Sequence, residues 1–281
     1  MTGCRGEEKF GRGESHGCIS VVNAIFTGTG AVIGVNLATS AQYRGAGDGQ
    51  RVDVSPGGVD DTLARICVRR ALERVGEDPE GGYELRVVSE IPPSRGLKSS
   101  SSACNAVIKA VLDYHGFEMD AMDVILLGVE CAREAGVTVT GSFDDACGCE
   151  LGGFIVADNV RNRVLIRRPA EDLDVMISVP DSVKGCVPPE NYRALAPEME
   201  EVLSILDEDP YRAMTLNGRL VARAANLSGT VADRAMGEGA LAASFSGTGP
   251  AVAALVGKGQ RPKFFDDPLW GIRTETRRWG R

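Results

Sequence analysis

The sequence predicts a globular protein of mixed strands and helices, and three observations carry the prediction. An alternating segment (Tyr83, Leu85, Val87) runs into a loop rich in Pro, Gly and Ser, and the loop opens a helical pattern (Ala106, Val107, Ala110, Val111). Three more helical patterns follow one another from about residue 189 to 238. Two strand-like runs, 240–245 and 251–256, then flank a Gly-rich hinge at 246–250. At 281 residues, two domains or one large one both fit, and 43% hydrophobic residues support a sizeable core.

The elements follow in order. Residues 18–41 are rich in Val, Ile and Ala, with Gly28, Gly30 and Gly34 as punctuation. That pattern predicts short strands joined by a turn at 27–30. Residues 51–54 fit another strand, and residues 60–75 have helical spacing (Leu63, Ile66, Cys67, Arg70, Ala71, Val75). After the strand at 83–88, a helix over about 101–114 stops at Gly116, and a second over about 120–135 stops at Gly136. The β-branched run from 137 breaks at Gly141 and leads to Asp144 and Asp145. Residues 153–157 and 163–168 read as a hairpin about Asp158 and Asn159, and 169–172 as a boundary. A strand at 174–179, helices at about 189–207, 210–225 and 229–238, and a last strand near 270–276 complete the pattern.

Composition excludes several functions. A net charge of −8 argues against a nucleic-acid binder, which needs a basic face. No run approaches the roughly 18–20 apolar residues of a membrane span, and residues 1–10 lack an apolar signal core. A soluble, cytoplasmic protein acting on small molecules is expected. Eight cysteines without CxxC spacing, beside two histidines, do not indicate zinc. Each is expected as a free thiol acting as a small hydrophobe. Arginines outnumber lysines 25 to 6, which suits gripping carboxylates or phosphates but follows equally from genome composition.

The most informative stretch is 91–103. It combines Pro, Gly and four consecutive serines (Ser99, Ser100, Ser101, Ser102) at the start of a helix. Uncapped N–H groups, the positive end of the helix dipole and hydroxyl donors together suit a polyphosphate, whereas one serine suffices for a cap. The hydroxyls also suit Mg²⁺, a hard cation that takes oxygen ligands. Lys98 either neutralises a transferring phosphate or sits solvated in the loop. Asp144 and Asp145 either orient an acceptor hydroxyl or cap the next segment. Glu130 and Glu134, one helical turn apart, either supply a metal carboxylate or form an exposed acidic face. The hinge at 246–250 holds two Gly, two hydroxyls and a Pro, more than a plain turn needs. Neither His16 nor His115 has a Ser or Cys partner at a recognisable spacing. No Walker-type loop and no G-x-G-x-x-G opening a helix is present.

Together these motifs resemble the GHMP kinase superfamily, and within it the archaeal-type shikimate kinases. The second superfamily motif, Pro-x-x-x-Gly-Leu-Gly-Ser-Ser-Ala, is similar to residues 92–101, with Lys98 replacing a Gly. The Asp turn matches 141–146, as Asp-Asp-Ala against Asp-Asn-Ala, and the third motif matches 246–250. Four stretches carry the narrower match: 96–101, 140–146, Ala-Met-Thr-Leu-Asn-Gly at 213–218, and 246–251. The likeness spans roughly residues 15 to 256; the N-terminal motif (Gly13 to His16) is loose, and the tail fits only at 274–277.

The resemblance implies an α+β fold of two domains. These are a ribosomal protein S5 domain 2-like ATP-binding domain at 1–168 and a ferredoxin-like GHMP-type domain at 169–281, with the site between them. It implies phosphorylation of the 3-hydroxyl of shikimate by ATP with Mg²⁺, in aromatic amino-acid biosynthesis. Another GHMP small-molecule kinase, homoserine kinase first, is the alternative. By the same resemblance Asp144 and Lys98 are catalytic, and Ser100 and Glu130 hold the metal. Pro92, Arg95, Gly96, Leu97, Lys98, Ser99, Ser100, Ser101 and Ser102 bind the nucleotide. The substrate carboxylate should meet Arg95, Lys184, Arg219 or Arg223. No nucleic-acid or membrane partner is expected, and a homodimer is allowed.

Overall fold

In the computed structural model, a long hairpin comes first among the described elements: β1 (Gly11–Val22) and β2 (Thr29–Gly45) pair antiparallel. At 12 and 17 residues they exceed the short strands expected. The reason lies in the outer half of β2, where Leu37, Thr39, Ala41 and Tyr43 are buried while Asn36, Ser40 and Gln42 face solvent. This period-2 alternation lets polar residues continue a strand beyond its apolar half. The structure describes residues 9–47, 49–57, 60–180 and 187–279. Cys4, Lys184, Cys186 and most of the N-terminal segment read for a signal lie outside the described residues.

Next come β3 (Gln50–Ser55), α1 (Thr62–Val75) and β4 (Tyr83–Ser89), with β3 parallel to β4. They are followed by α2 (Ser99–His115), α3 (Ala121–Glu134), α4 (Phe143–Leu151), β5 (Phe154–Asp158) and β6 (Arg163–Arg168). The first sheet has the order β3-β4-β2-β5-β6, with β1 paired to β2. α2 ends where Gly116 takes a left-handed conformation (φ 64°), as its place after the last apolar residue predicts.

The remaining chain builds an antiparallel second sheet, β10-β7-β9-β8. Its strands are β7 (Leu173–Ser178), β8 (Ala242–Phe245), β9 (Val252–Gly257) and β10 (Ile272–Glu275). Between β7 and β8 lie α5 (Pro189–Arg193), α6 (Ala196–Ser204), α7 (Pro210–Ala225) and α8 (Thr230–Gly237). The helix expected over 189–207 is thus two. Pro197 has no N–H and its ring would collide with the carbonyl four residues back, so a new helix starts at Ala196. The two sheets share one core: Ile19, Val21 and Leu37 pack in the same buried cluster as Val175, Ile177 and Phe245. Among the described residues six cysteines are free and buried, as expected of small hydrophobes.

Candidate active site

The Ser-rich loop and the Gly-rich hinge are locked together. Gly96 adopts φ 84°, and a Cβ there would lie 2.0 Å from the Ser246 carbonyl oxygen, so only glycine fits. The Ser246 hydroxyl donates to the Gly96 carbonyl at 2.8 Å, and the Ala251 N–H donates to the Arg95 carbonyl at 3.2 Å. Ser20 of β1 joins them. Its hydroxyl oxygen accepts from the Gly247 N–H and from Lys98 Nζ, both at 2.9 Å. No side chain caps the start of α2, which leaves its first-turn N–H groups to a ligand.

Across the cavity, the turn at Gly141 (φ 89°) and Ser142 (φ 51°) starts α4 at Phe143. Phe143, Cys147 and Leu151 bury one face of that short helix, which leaves Asp144 and Asp145 in the first turn. Asp144 is only 4% exposed. Asn159 grips it twice: Nδ2 donates to Asp144 Oδ1 at 2.7 Å, and Oδ1 accepts the Asp144 N–H at 2.9 Å. Gly30 leaves room for the other oxygen, since a Cβ at Gly30 would sit 1.9 Å from Asp144 Oδ2. Asp145 Oδ1 lies 2.9 Å from Lys98 Nζ.

These contacts set the charges. Burial, then repulsion from Asp145, pushes the Asp144 carboxyl up to about 7, against the pull of Lys98 and Asn159. Burial disfavours the Lys98 ammonium, but the negative charge of Asp145 outweighs it and holds Lys98 above the ordinary lysine value. The site therefore holds one firmly charged cation and one carboxyl poised near neutrality.

Both loops open on a cavity of about 420 Å³. Leu63, Ala64, Ile91, Val137 and Val139 are among its apolar lining, and Lys98, Ser99, Ser100, Ser101, Asp144 and Asp145 among its polar lining. A mostly apolar pocket with a few convergent polar groups is how small ligands are held. Gly96 also lines it, whereas Pro92, Arg95, Leu97 and Ser102 do not: Leu97 sits in the core and Ser102 is fully buried on α2.

Glu130 is not brought to the cavity. It is exposed on α3, and its Oε2 accepts from Arg70 of α1 at 2.6 Å. Glu134 pairs likewise with Arg69. Among the described residues no group of three or more His, Cys, Asp or Glu is assembled for a metal. Serine hydroxyls beside Asp144 and Asp145 nonetheless fit Mg²⁺, which uses one or two carboxylates and completes its shell with phosphate and water. Of the residues expected at the substrate carboxylate, Arg219 is exposed on α7 and Arg223 pairs with Glu198. Among the described residues the cavity wall carries a single basic side chain, Lys98.

Asn217 has a clear structural task. Fully buried on α7, it accepts from the Asn23 N–H at 2.9 Å and donates to the Ser244 hydroxyl at 3.1 Å. It thereby ties a cavity-wall residue to the second sheet. Asn217→Ala strands the Asn23 N–H and takes one donor from the Ser244 hydroxyl, which keeps its bond to the Phe245 carbonyl, and chemical denaturation should show a loss of about 2 kcal/mol.

Fold and site define a GHMP-type kinase: the family model "GHMP kinases N terminal domain" matches residues 61–153. The crystal structure of *Methanococcus jannaschii* mevalonate kinase superposes with a TM-score of 0.76 at 17% identity, covering 99% of this chain and 100% of that one. Homoserine kinase from *Cytophaga hutchinsonii* gives 0.72 at 17% identity, covering 99% and 98%. At that identity the likeness establishes the fold. The chain is 42% identical over 250 residues to shikimate kinase of *Methanothrix thermoacetophila*, covering 88% of this chain and 85% of the relative. It is 41% identical over 256 residues to that of *Methanosarcina mazei*, covering 86% and 85%. The chain belongs to the archaeal shikimate kinase family of GHMP kinases.

Proposed function

We propose that this protein transfers the γ-phosphoryl group of ATP to the 3-hydroxyl of shikimate. One observation carries the reading: a buried carboxyl poised near neutrality, Asp144, faces the same cavity as Lys98 and the uncapped, serine-lined start of α2. Phosphoryl transfer depends on positioning and charge stabilisation, and these residues divide the work. The N–H groups and hydroxyls of Ser99, Ser100 and Ser101 cradle the phosphates. Lys98 neutralises charge on the group in transit. Asp144, aimed by Asn159, orients the acceptor hydroxyl and takes its proton. Ser100 and a neighbouring carboxylate would hold Mg²⁺, which would supply screening of phosphate charge.

We assign the first sheet and its helices (1–168) to the ATP-binding domain and 169–281 to the second, because β1–β6 and β7–β10 form separate sheets. Among the described residues no helix is long and apolar enough to cross a membrane. A cytoplasmic enzyme suits its free thiols, and sedimentation tests assembly as a homodimer. The decisive assay is ADP release with shikimate, homoserine, mevalonate and galactose in parallel. Turnover is expected with shikimate alone and only with Mg²⁺; turnover of homoserine or mevalonate with shikimate inert overturns the reading.

A further inference from the structure

We infer that Arg277, in the tail of the chain, is a positioning residue for Asp144: it clamps the far end of the helix that presents the carboxylate. The inference rests on the reading of Asp144 given above. α4 has nine residues, with Asp144 in its first turn. At about 1.5 Å per residue it is a short, stiff lever. A shift of its C-terminal end is passed directly to the carboxylate at the other.

The Arg277 guanidinium holds that end. Nη1 donates to the Cys149 carbonyl at 2.8 Å and Nη2 to the Glu150 carbonyl at 3.1 Å. Carbonyls in a last helical turn have no partner within their own helix, and a cation there matches the dipole. The last turn of α4 contains no basic residue of its own, so the charge comes from a distant part of the chain. The Ser15 hydroxyl donates to the same Cys149 carbonyl at 3.2 Å.

The tail is itself fixed. The Arg277 N–H donates to the Gly34 carbonyl at 2.7 Å, and its carbonyl accepts the Gly153 N–H at 3.0 Å. The register of β2 with β5 ends at Ile33 and Phe154, and one further hydrogen bond follows, from the Gly34 N–H to the Gly153 carbonyl at 3.0 Å; residue 277 bonds to the remaining backbone groups of that same pair. Thr276 holds the second sheet, exchanging backbone and hydroxyl hydrogen bonds with Leu173 at 3.0 Å each. Two residues thus bind α4, the first sheet and the second sheet together. At the opposite end of α4 the N-cap residue Ser142 makes no side-chain cap, and the first-turn N–H of Asp144 is taken by Asn159. The aim of Asp144 therefore depends on Asn159 and on the direction of the helix axis.

The test compares Arg277→Ala in two backgrounds. In the wild type it is expected to lower kcat about tenfold to a hundredfold with KM for ATP within about twofold, the usual cost of a small misplacement. In Asp144→Asn it is expected to change kcat by less than about twofold, because the group it aims is gone. A merely structural role would lower kcat equally in both backgrounds, and that result overturns the inference. So does wild-type kcat for Arg277→Ala. If the alanine variant does not fold, Arg277→Lys, which keeps charge but not the fork, replaces it. A loss of about threefold or more, confined to the Asp144 background, supports the inference, and unchanged turnover overturns it. Asp144→Asn alone separates the two readings. If it turns over like wild type, the role of Asp144 falls; if it is inert while Arg277→Ala is normal, only the clamp falls.

Discussion

Asp144→Asn is expected to cut kcat about a hundredfold or more, the usual span for a positioned acid–base group, with shikimate and ATP affinity unchanged. The amide keeps the shape, and its oxygen still accepts the Asn159 Nδ2–H now 2.7 Å from Asp144 Oδ1. Only charge and basicity are lost. The wild-type carboxyl ionises at about 7, so kcat should rise through that pH and flatten above it. Asp144 and Asp145 interact, and the limb belongs to the cluster rather than to one proton. Stability carries the opposite sign. A carboxyl whose folded value is raised stabilises the fold in acid, and that contribution is lost as pH rises from the unfolded value through the folded one. Asparagine removes the penalty, so the variant should melt higher than wild type at pH 8 and at the same temperature below pH 4. A variant that turns over like wild type with both substrates bound would remove Asp144 from the chemistry.

Much of this arrangement was legible in the sequence wherever the signal is local. The stops at Gly116 and Gly136, the hairpin about Asp158 and the serine loop before α2 follow from periodicity and backbone preference. What was hidden depends on residues that only the fold brings together. Asn159 reads as a turn residue beside Asp158, yet it closes two hydrogen bonds on Asp144, 15 positions away. Ser20 reads as one polar residue in an apolar strand, yet it is the hub between Lys98 and Gly247. Periodicity places Glu130 and Glu134 on one helix face but does not say which neighbour that face meets. α1 supplies Arg70 and Arg69, and the pair serves a surface ion network instead of the cavity. Lys98 and Asp145 depart from the superfamily motifs as Lys for Gly and Asp for Asn. In the fold the two departures meet as one ion pair.

That meeting makes Lys98→Met the more disruptive substitution for the fold. Lys98 and Asp145 have side chains only 8% and 15% exposed, so the methionine strands a buried carboxylate next to a second one. Breaking a buried pair from one side costs about 3 kcal/mol, and part of that loss should show as Asp144 ionising at higher pH. Lys98→Met/Asp145→Asn removes both charges and should recover most of the stability, since replacing a whole buried pair is close to neutral. Catalysis should not recover with it. If Lys98 meets the phosphate in transit, the double variant folds like wild type yet keeps the defect in ATP use, with shikimate binding intact. Denaturant titration and initial rates on the three proteins separate the roles. A double variant with normal ATP kinetics would leave Lys98 as no more than the counter-ion of Asp145. A defect confined to shikimate would move it to the acceptor side.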